Sequence, residues 1–160
     1  MTKNLVAYFS ASGNTKAVAQ NLAKAANADI YEIKPLVPYS DKDLNWMDKN
    51  ARSTVEMKDW KSRPEIVDTD AHAENYDNIF LGFPIWWYIA PTIINTFLEK
   101  YDFSNKKIIL FATSGGSRFG SAVENIKPSV DSSAEIIEGE IFNNKPDTEY
   151  LKDWLKNLNL

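Results

Sequence analysis

The chain has 160 residues, a quarter of them charged, with a formal net charge of −4, one histidine and no cysteine. Zero cysteines exclude a disulfide scaffold, a thiol nucleophile, an iron–sulfur centre and a zinc–cysteine site, and one histidine excludes a multi-histidine metal centre. The acidic balance argues against nucleic-acid binding, which needs a basic stripe to neutralise phosphates.

This length suits one domain over residues 1–160, large enough to fold without a disulfide or structural metal. The longest nearly apolar run, residues 79–91, contains Gly82, Pro84 and Pro91, whereas a spanning helix needs about 20 apolar residues. The apolar run at 5–9 is too short for the core of a signal peptide. A cytoplasmic protein without membrane insertion is expected.

The elements alternate along the chain. Leu5, Val6, Ala7, Tyr8 and Phe9 form a continuous apolar run, as in a strand buried on both faces of a parallel sheet. An alanine-rich helix over 14–26 follows, with Val18 and Leu22 four apart. Residues 29–33 alternate and predict a more exposed strand. Residues 35–78 are long for a crossover; within them 41–59 predicts a polar helix with Leu44, Met47 and Val55 as core contacts, and 62–75 a loop. A third strand at 79–83 ends at Pro84. A helix over 92–99 carries Ile93, Ile94, Phe97 and Leu98. A fourth strand, 108–112, precedes a helix over 117–126. Ile136, Ile137, Ile141 and Phe142 make a weaker fifth strand. The last helix, 147–158, has Tyr150, Leu151, Trp154, Leu155 and Leu158 on one stripe. Strand–helix alternation predicts an α/β fold of βαβ units on a parallel sheet.

Three loops follow strands. In the first, Ser10, Ala11, Ser12, Gly13, Asn14 and Thr15 join a strand directly to a helix. The helix start offers unpaired amides and partial positive charge; Ser10, Ser12 and Thr15 add hydroxyls, and Gly13 lets the backbone come close. That suits a phosphate held by neutral donors; the plain alternative is an ordinary helix cap. A Walker loop and a Gly-x-Gly-x-x-Gly fingerprint are both absent here. In the second loop, Pro84, Ile85, Trp86, Trp87 and Tyr88 place three aromatics in a row, which cannot all enter one core; at least one ring should be exposed and suits a flat ligand or a protein surface. In the third, Thr113, Ser114, Gly115, Gly116 and Ser117 free the backbone to meet a ligand edge. Open α/β sheets bind ligands at the carboxyl ends of their strands. A phosphate end, an aromatic wall and a polar edge together fit a flat ring with a phosphate tail.

These residues resemble the flavodoxin-like flavoproteins, most closely a branch with a Pro-Ile-Trp-Trp loop. The likeness runs over nearly the whole chain, through Ser10 to Thr15, Arg63-Pro64-Glu65, Tyr76-Asp77, Gly82 to Trp87, Thr96-Phe97-Leu98-Glu99, Tyr101-Asp102-Phe103 and Thr113 to Gly116. It implies a flavodoxin-like doubly wound five-stranded parallel sheet, order 2-1-3-4-5, with helices on both faces, and FMN as cofactor. It implies that Ser10, Ser12, Gly13, Asn14 and Thr15 bind the phosphate. Pro84, Ile85, Trp86 and Trp87 would line the ring and ribityl region, and Thr113, Ser114, Gly115 and Gly116 would meet the far ring edge. Ala7 and Ala23 are smaller than the family usually has. Tyr88 stands where the branch commonly has glycine; tyrosine resists φ > 0, so poor stabilisation of the one-electron-reduced flavin is expected.

The resemblance implies low-potential electron transfer with a redox partner protein. The alternatives are an NAD(P)H-dependent reductase of a small quinone-like acceptor and a flavin-free binding module. A phosphorelay receiver needs acidic residues at the ends of the first and third strands, where this chain has Ser10 and Pro84. His72 lies in a polar loop and predicts a solvated surface residue, as do Asp68 and Asp70. No catalytic residue and no metal site is expected.

Overall fold

Strands β1 (Asn4–Tyr8), β2 (Asp29–Glu32), β3 (Asn78–Pro84), β4 (Lys107–Thr113) and β5 (Glu135–Ile141) form one parallel sheet in the order β2-β1-β3-β4-β5. The computed structural model describes residues 3–114, 116–158 and 160. Helices α1 (Asn14–Ala26), α2 (Arg52–Lys58), α3 (Thr92–Lys100), α4 (Ala122–Ile126) and α5 (Thr148–Lys156) connect or follow the strands. The order is the one the resemblance implies.

Strand alternation divides the core in two. Val6, Tyr8, Phe80, Ile109 and Phe111 face Val18 and Leu22 of α1 and Leu151 of α5. Leu5, Ala7, Ile79, Leu81, Phe83, Ile108 and Leu110 face Ile93, Ile94 and Phe97 of α3 and Ala122 and Ile126 of α4. Both faces are covered, which is why the central strands read as unbroken apolar runs. Edge strand β2 is the more exposed one, but its burial does not alternate: Asp29 and Ile30 are exposed, and Tyr31 and Glu32 are half-buried. The connections from β1 and β3 depart in opposite directions across the sheet, so the crevice beyond their carboxyl ends is the switch point where ligands bind.

Two helix expectations fail locally. The predicted helix over 41–59 shrinks to α2; turns fill 41–50. Met47 and Val55 are 75% and 53% exposed, and the buried residues of α2 are Ser53 and Thr54. The pattern misled because this segment lies over the sheet's end instead of packing a full apolar stripe on it. The helix over 117–126 is only α4, because a backbone contact to the aromatic loop holds 120–121, as described below. The fifth strand is continuous, but its register shifts between Leu110 and Phe111: Leu110 pairs with Glu138 and Phe111 with Glu140. Gly139 is skipped, and this bulge breaks the alternation that weakened the strand's signal. The 62–75 loop contains one bridge, Ile66 to Pro35, and a short helical turn at Ala73–Asn75.

Candidate functional site

The loop from β1 to α1 closes on itself. Ser10 Oγ accepts from Gly13 N–H at 3.0 Å. Gly13 caps α1 at φ 95°, a conformation that L side chains resist. No side chain caps α1, and no acidic residue lies in its first turn. The first-turn amides are therefore left for a ligand, with the helix dipole behind them. Thr15 is different from the expectation of a free hydroxyl: it is buried, and its Oγ1 meets Thr113 Oγ1 at 2.9 Å. That bond ties the loop between β1 and α1 to the end of β4.

The aromatic loop after β3 is a tight hairpin. Trp86 and Ile89 exchange both backbone hydrogen bonds, at 3.0 and 3.2 Å. Trp87 and Tyr88 between them sit at φ 50° and 67°, the pattern of a type I′ turn without its usual glycine or asparagine. The expectation that Tyr88 would refuse positive φ is overturned, and the expectation about one-electron-reduced flavin loses its premise. The neighbouring loop enforces this turn. Ser121 N–H donates to the Tyr88 carbonyl at 2.9 Å. Gly120, at φ 56°, lies so close that a Cβ would collide with that carbonyl oxygen and sit 2.8 Å from Tyr88 Cβ.

The rings divide as anticipated. Trp86 is partly buried, edge-on to Phe9 (centroids 5.7 Å, 88°) and Tyr39 (5.6 Å, 76°). Trp87 and Tyr88 are 43% and 67% exposed. Tyr39 is itself clamped: its hydroxyl donates to the Glu56 carboxylate, and the Arg52 guanidinium lies 3.8 Å above its ring while bonding Glu56 at 3.0 Å. Burial, then the Glu56 carboxylate, push the Tyr39 phenol far above its ordinary pKa, so it stays a neutral donor. The clamp comes from α2 and the 35–41 stretch.

Two adjoining cavities open between these loops. One, of about 780 Å³, is lined by Ala11, Ser12, Pro84, Ile85, Trp86, Trp87, Tyr88, Ser114, Gly116 and Ser117, with Leu44, Trp46 and Ser53 on its outer side. The other, of about 380 Å³, shares Ser12, Pro84, Ile85, Trp86 and Ser114 and adds Asn14, Thr113, Asn143 and Lys145, among others. Their sizes are those of small-molecule sites. The structure thus brings Ser12, Asn14, Pro84, Ile85, Trp86, Trp87, Thr113, Ser114 and Gly116 onto one continuous space. Ser10, Gly13 and Thr15 support the loop without lining either cavity, and Gly115 lies outside the described residues. Arg118 lines neither. His72 is exposed, beside Asp70 (3.4 Å) and Glu74 (3.7 Å), and away from the cavities. A fourth loop, after β5, was missed: Asn143 Oδ1 accepts from Ser114 N–H at 2.8 Å. Its only sequence signal was position, after the weakest strand. Among the described residues, no cluster of three or more histidine or acidic side chains is arranged to hold a metal. No described helix is long and apolar enough to cross a membrane.

Known proteins agree with this architecture. A family model described as flavodoxin matches residues 3–158. The flavodoxin-like domain-containing protein BilS of Clostridioides difficile is 30% identical, over 97% of this chain and 82% of its own length. NAD(P)H dehydrogenase [quinone] 1 of Cavia porcellus is 28% identical over 59% of this chain, which spans less than half of that protein (42%). Among solved structures, a Bacteroides eggerthii chain described as a flavoprotein is 39% identical, covers 100% of this chain and 99% of its own, and has a TM-score of 0.89. A Lactobacillus acidophilus flavoprotein solved in complex with FMN shares the fold, with a TM-score of 0.70 at 23% identity over 97% of this chain and 99% of its own. With the strand order, the glycine-capped helix start and the aromatic loop at the switch point, these matches make the chain a member of the flavodoxin family.

Proposed function

We propose that the chain binds FMN and serves as an electron-transfer flavoprotein. One observation carries this reading: an uncapped helix N-terminus and an exposed indole lie on one continuous cavity. The residues present fit the group. Ser12, Asn14 and the first-turn amides of α1 offer neutral donors to a phosphate. Pro84, Ile85 and Trp86 line the middle, with Trp86 held by Phe9 and Tyr39. Trp87 supplies the ring to stack on, and Ser114, Gly116 and Ser117 supply a polar edge. FMN, when bound, supplies the one- and two-electron chemistry. The protein's work is to hold it, exclude water from one face and leave the other edge open to a partner. The reading keeps the cytoplasmic location and the redox partner protein expected from the sequence.

A second reading, NAD(P)H-dependent reduction of a small quinone-like acceptor, is favoured by the outer side of the larger cavity. Leu44, Trp46 and Tyr88 extend it beyond the indole wall, with no charged group among the described lining residues. Titration of flavin-free protein with FMN tests the common core: fluorescence should quench to a one-to-one end point, and Trp87→Ala should weaken it. No quenching leaves a flavin-free binding module. Loaded protein that oxidises NAD(P)H with a quinone in steady state is a reductase; rapid exchange with a flavodoxin reductase and no turnover marks a carrier.

A further inference from the structure

Among the described residues, Lys145 is the one charged residue lining either cavity. It lies in the loop between β5 and α5, and that loop is fastened on both sides of it. Phe142 N–H donates to the Ala112 carbonyl at 2.8 Å. Asn143 holds the Ser114 amide at 2.8 Å, Asn21 Nδ2 donates to the Pro146 carbonyl at 3.0 Å, and Asp147 caps α5 by accepting from Tyr150 N–H at 2.8 Å. The root of the side chain is thereby fixed on the wall of the smaller cavity, which Ser12 and Asn14 also line.

The ammonium itself is not committed elsewhere. It enters no ion pair among the described residues. On its other side Lys145 also lines a cavity of about 510 Å³ with Glu140 and Asp147. Glu140 accepts from the Tyr150 hydroxyl at 3.0 Å and Asp147 from the Tyr150 amide, so each of these carboxylates already has a partner. A phosphomonoester carries a charge of about −1.5 to −2 at neutral pH. The loop from β1 to α1 meets it with neutral groups only, in a chain of net charge −4. A lysine on the same cavity is what lowers the cost of that charge.

We propose that Lys145 neutralises the phosphate of the bound flavin and so makes the site select a phosphorylated flavin over the unphosphorylated one. The proposal rests on the flavin reading above, and its test separates the two. FMN and riboflavin are titrated by fluorescence quenching into wild type, Lys145→Gln and Lys145→Arg, at low and high sodium chloride. The pair is exposed to solvent, so the expected loss is modest: about three- to tenfold weaker FMN binding in Lys145→Gln at low salt. Riboflavin affinity should stay unchanged, and Lys145→Arg should recover most of the FMN affinity. High salt should weaken FMN binding to wild type more than to Lys145→Gln, because salt screens the interaction only where the charge is present. Equal FMN affinity in wild type and Lys145→Gln overturns the proposal. So does an equal loss for FMN and riboflavin, which would assign Lys145 to shaping the cavity. Wild type that binds neither flavin removes the flavin reading itself, and this proposal with it.

Discussion

Gly82→Ala perturbs the centre of the sheet and probes how closely β3 and β4 pack behind the site. Gly82 pairs with Tyr8 on one side and Phe111 on the other. A Cβ there would sit 2.8 Å from Phe111 Cε1 and nearer still to Cζ and Cε2. The ring cannot swing away: Phe111 is fully buried among Val6, Tyr8, Val18, Leu22 and Phe142. Overpacking of a filled core costs about 1–3 kcal/mol, and a collision with three ring carbons belongs in the upper part, about 2–3 kcal/mol. For a chain of this size that lowers Tm by about 4–12 °C. Leucine lacks those three carbons, so Phe111→Leu should relieve the clash. Alone it costs about 1–2 kcal/mol for the space it opens. In Gly82→Ala/Phe111→Leu the new methyl fills part of that space, and the two costs should fall short of additivity by at least about 1 kcal/mol. Urea unfolding of the four proteins, with m-values compared, measures this. Gly82→Ala as stable as wild type, or strictly additive costs, would refute the packing argument.

Tyr88→Gly should stabilise the fold by about 1 kcal/mol, because glycine removes the left-handed strain of a turn that Ser121 and Gly120 hold in place; an unchanged or lower Tm contradicts it. Thr15→Val and Thr113→Val should each cost about 1–3 kcal/mol by stranding the partner hydroxyl, while the double variant costs less than their sum; additive losses would show that the two hydroxyls do not depend on each other. Burial, reinforced by Glu32, raises the Tyr8 phenol to about 12. The folded state therefore keeps a proton that the unfolded chain releases near pH 10, and stability present below pH 10 is lost between about pH 10 and 12, by about 2–3 kcal/mol. Tyr8→Phe should flatten that part of the stability–pH curve, and identical alkaline slopes would count against it. At the acid end, the Arg63 guanidinium and the Ser129 hydroxyl hold the Glu99 carboxyl below its ordinary range. Its contribution is present above the unfolded carboxylate pKa and disappears as pH falls through the folded one. The stability gap between wild type and Glu99→Gln should close on acidification; a constant gap argues against the bond.

The sequence by itself determined the elements whose physics is local. The apolar runs at 5–9, 79–83 and 108–112 fit strands covered on both faces, and Val18 and Leu22, four apart, mark one side of a helix. Gly13 with its flanking serines marked the start of α1, where the proposed phosphate would sit, and three consecutive aromatics required an exposed ring. Tertiary structure decided what depends on contacts between distant segments. Thr15 is occupied by Thr113, ninety-eight positions away. Tyr88 accepts a left-handed backbone because Ser121 and Gly120 hold its carbonyl, a constraint that no propensity at position 88 contains. Residues 41–51 forgo the helix their pattern suggested because they lie over the end of the sheet, where no apolar surface runs the length of a helix. Lys145 reaches the site only because β5 ends beside β4 and its loop is pinned to Ser114 and α1. A residue's own spacing reveals which face it presents; which distant group meets that face is a property of the closed chain.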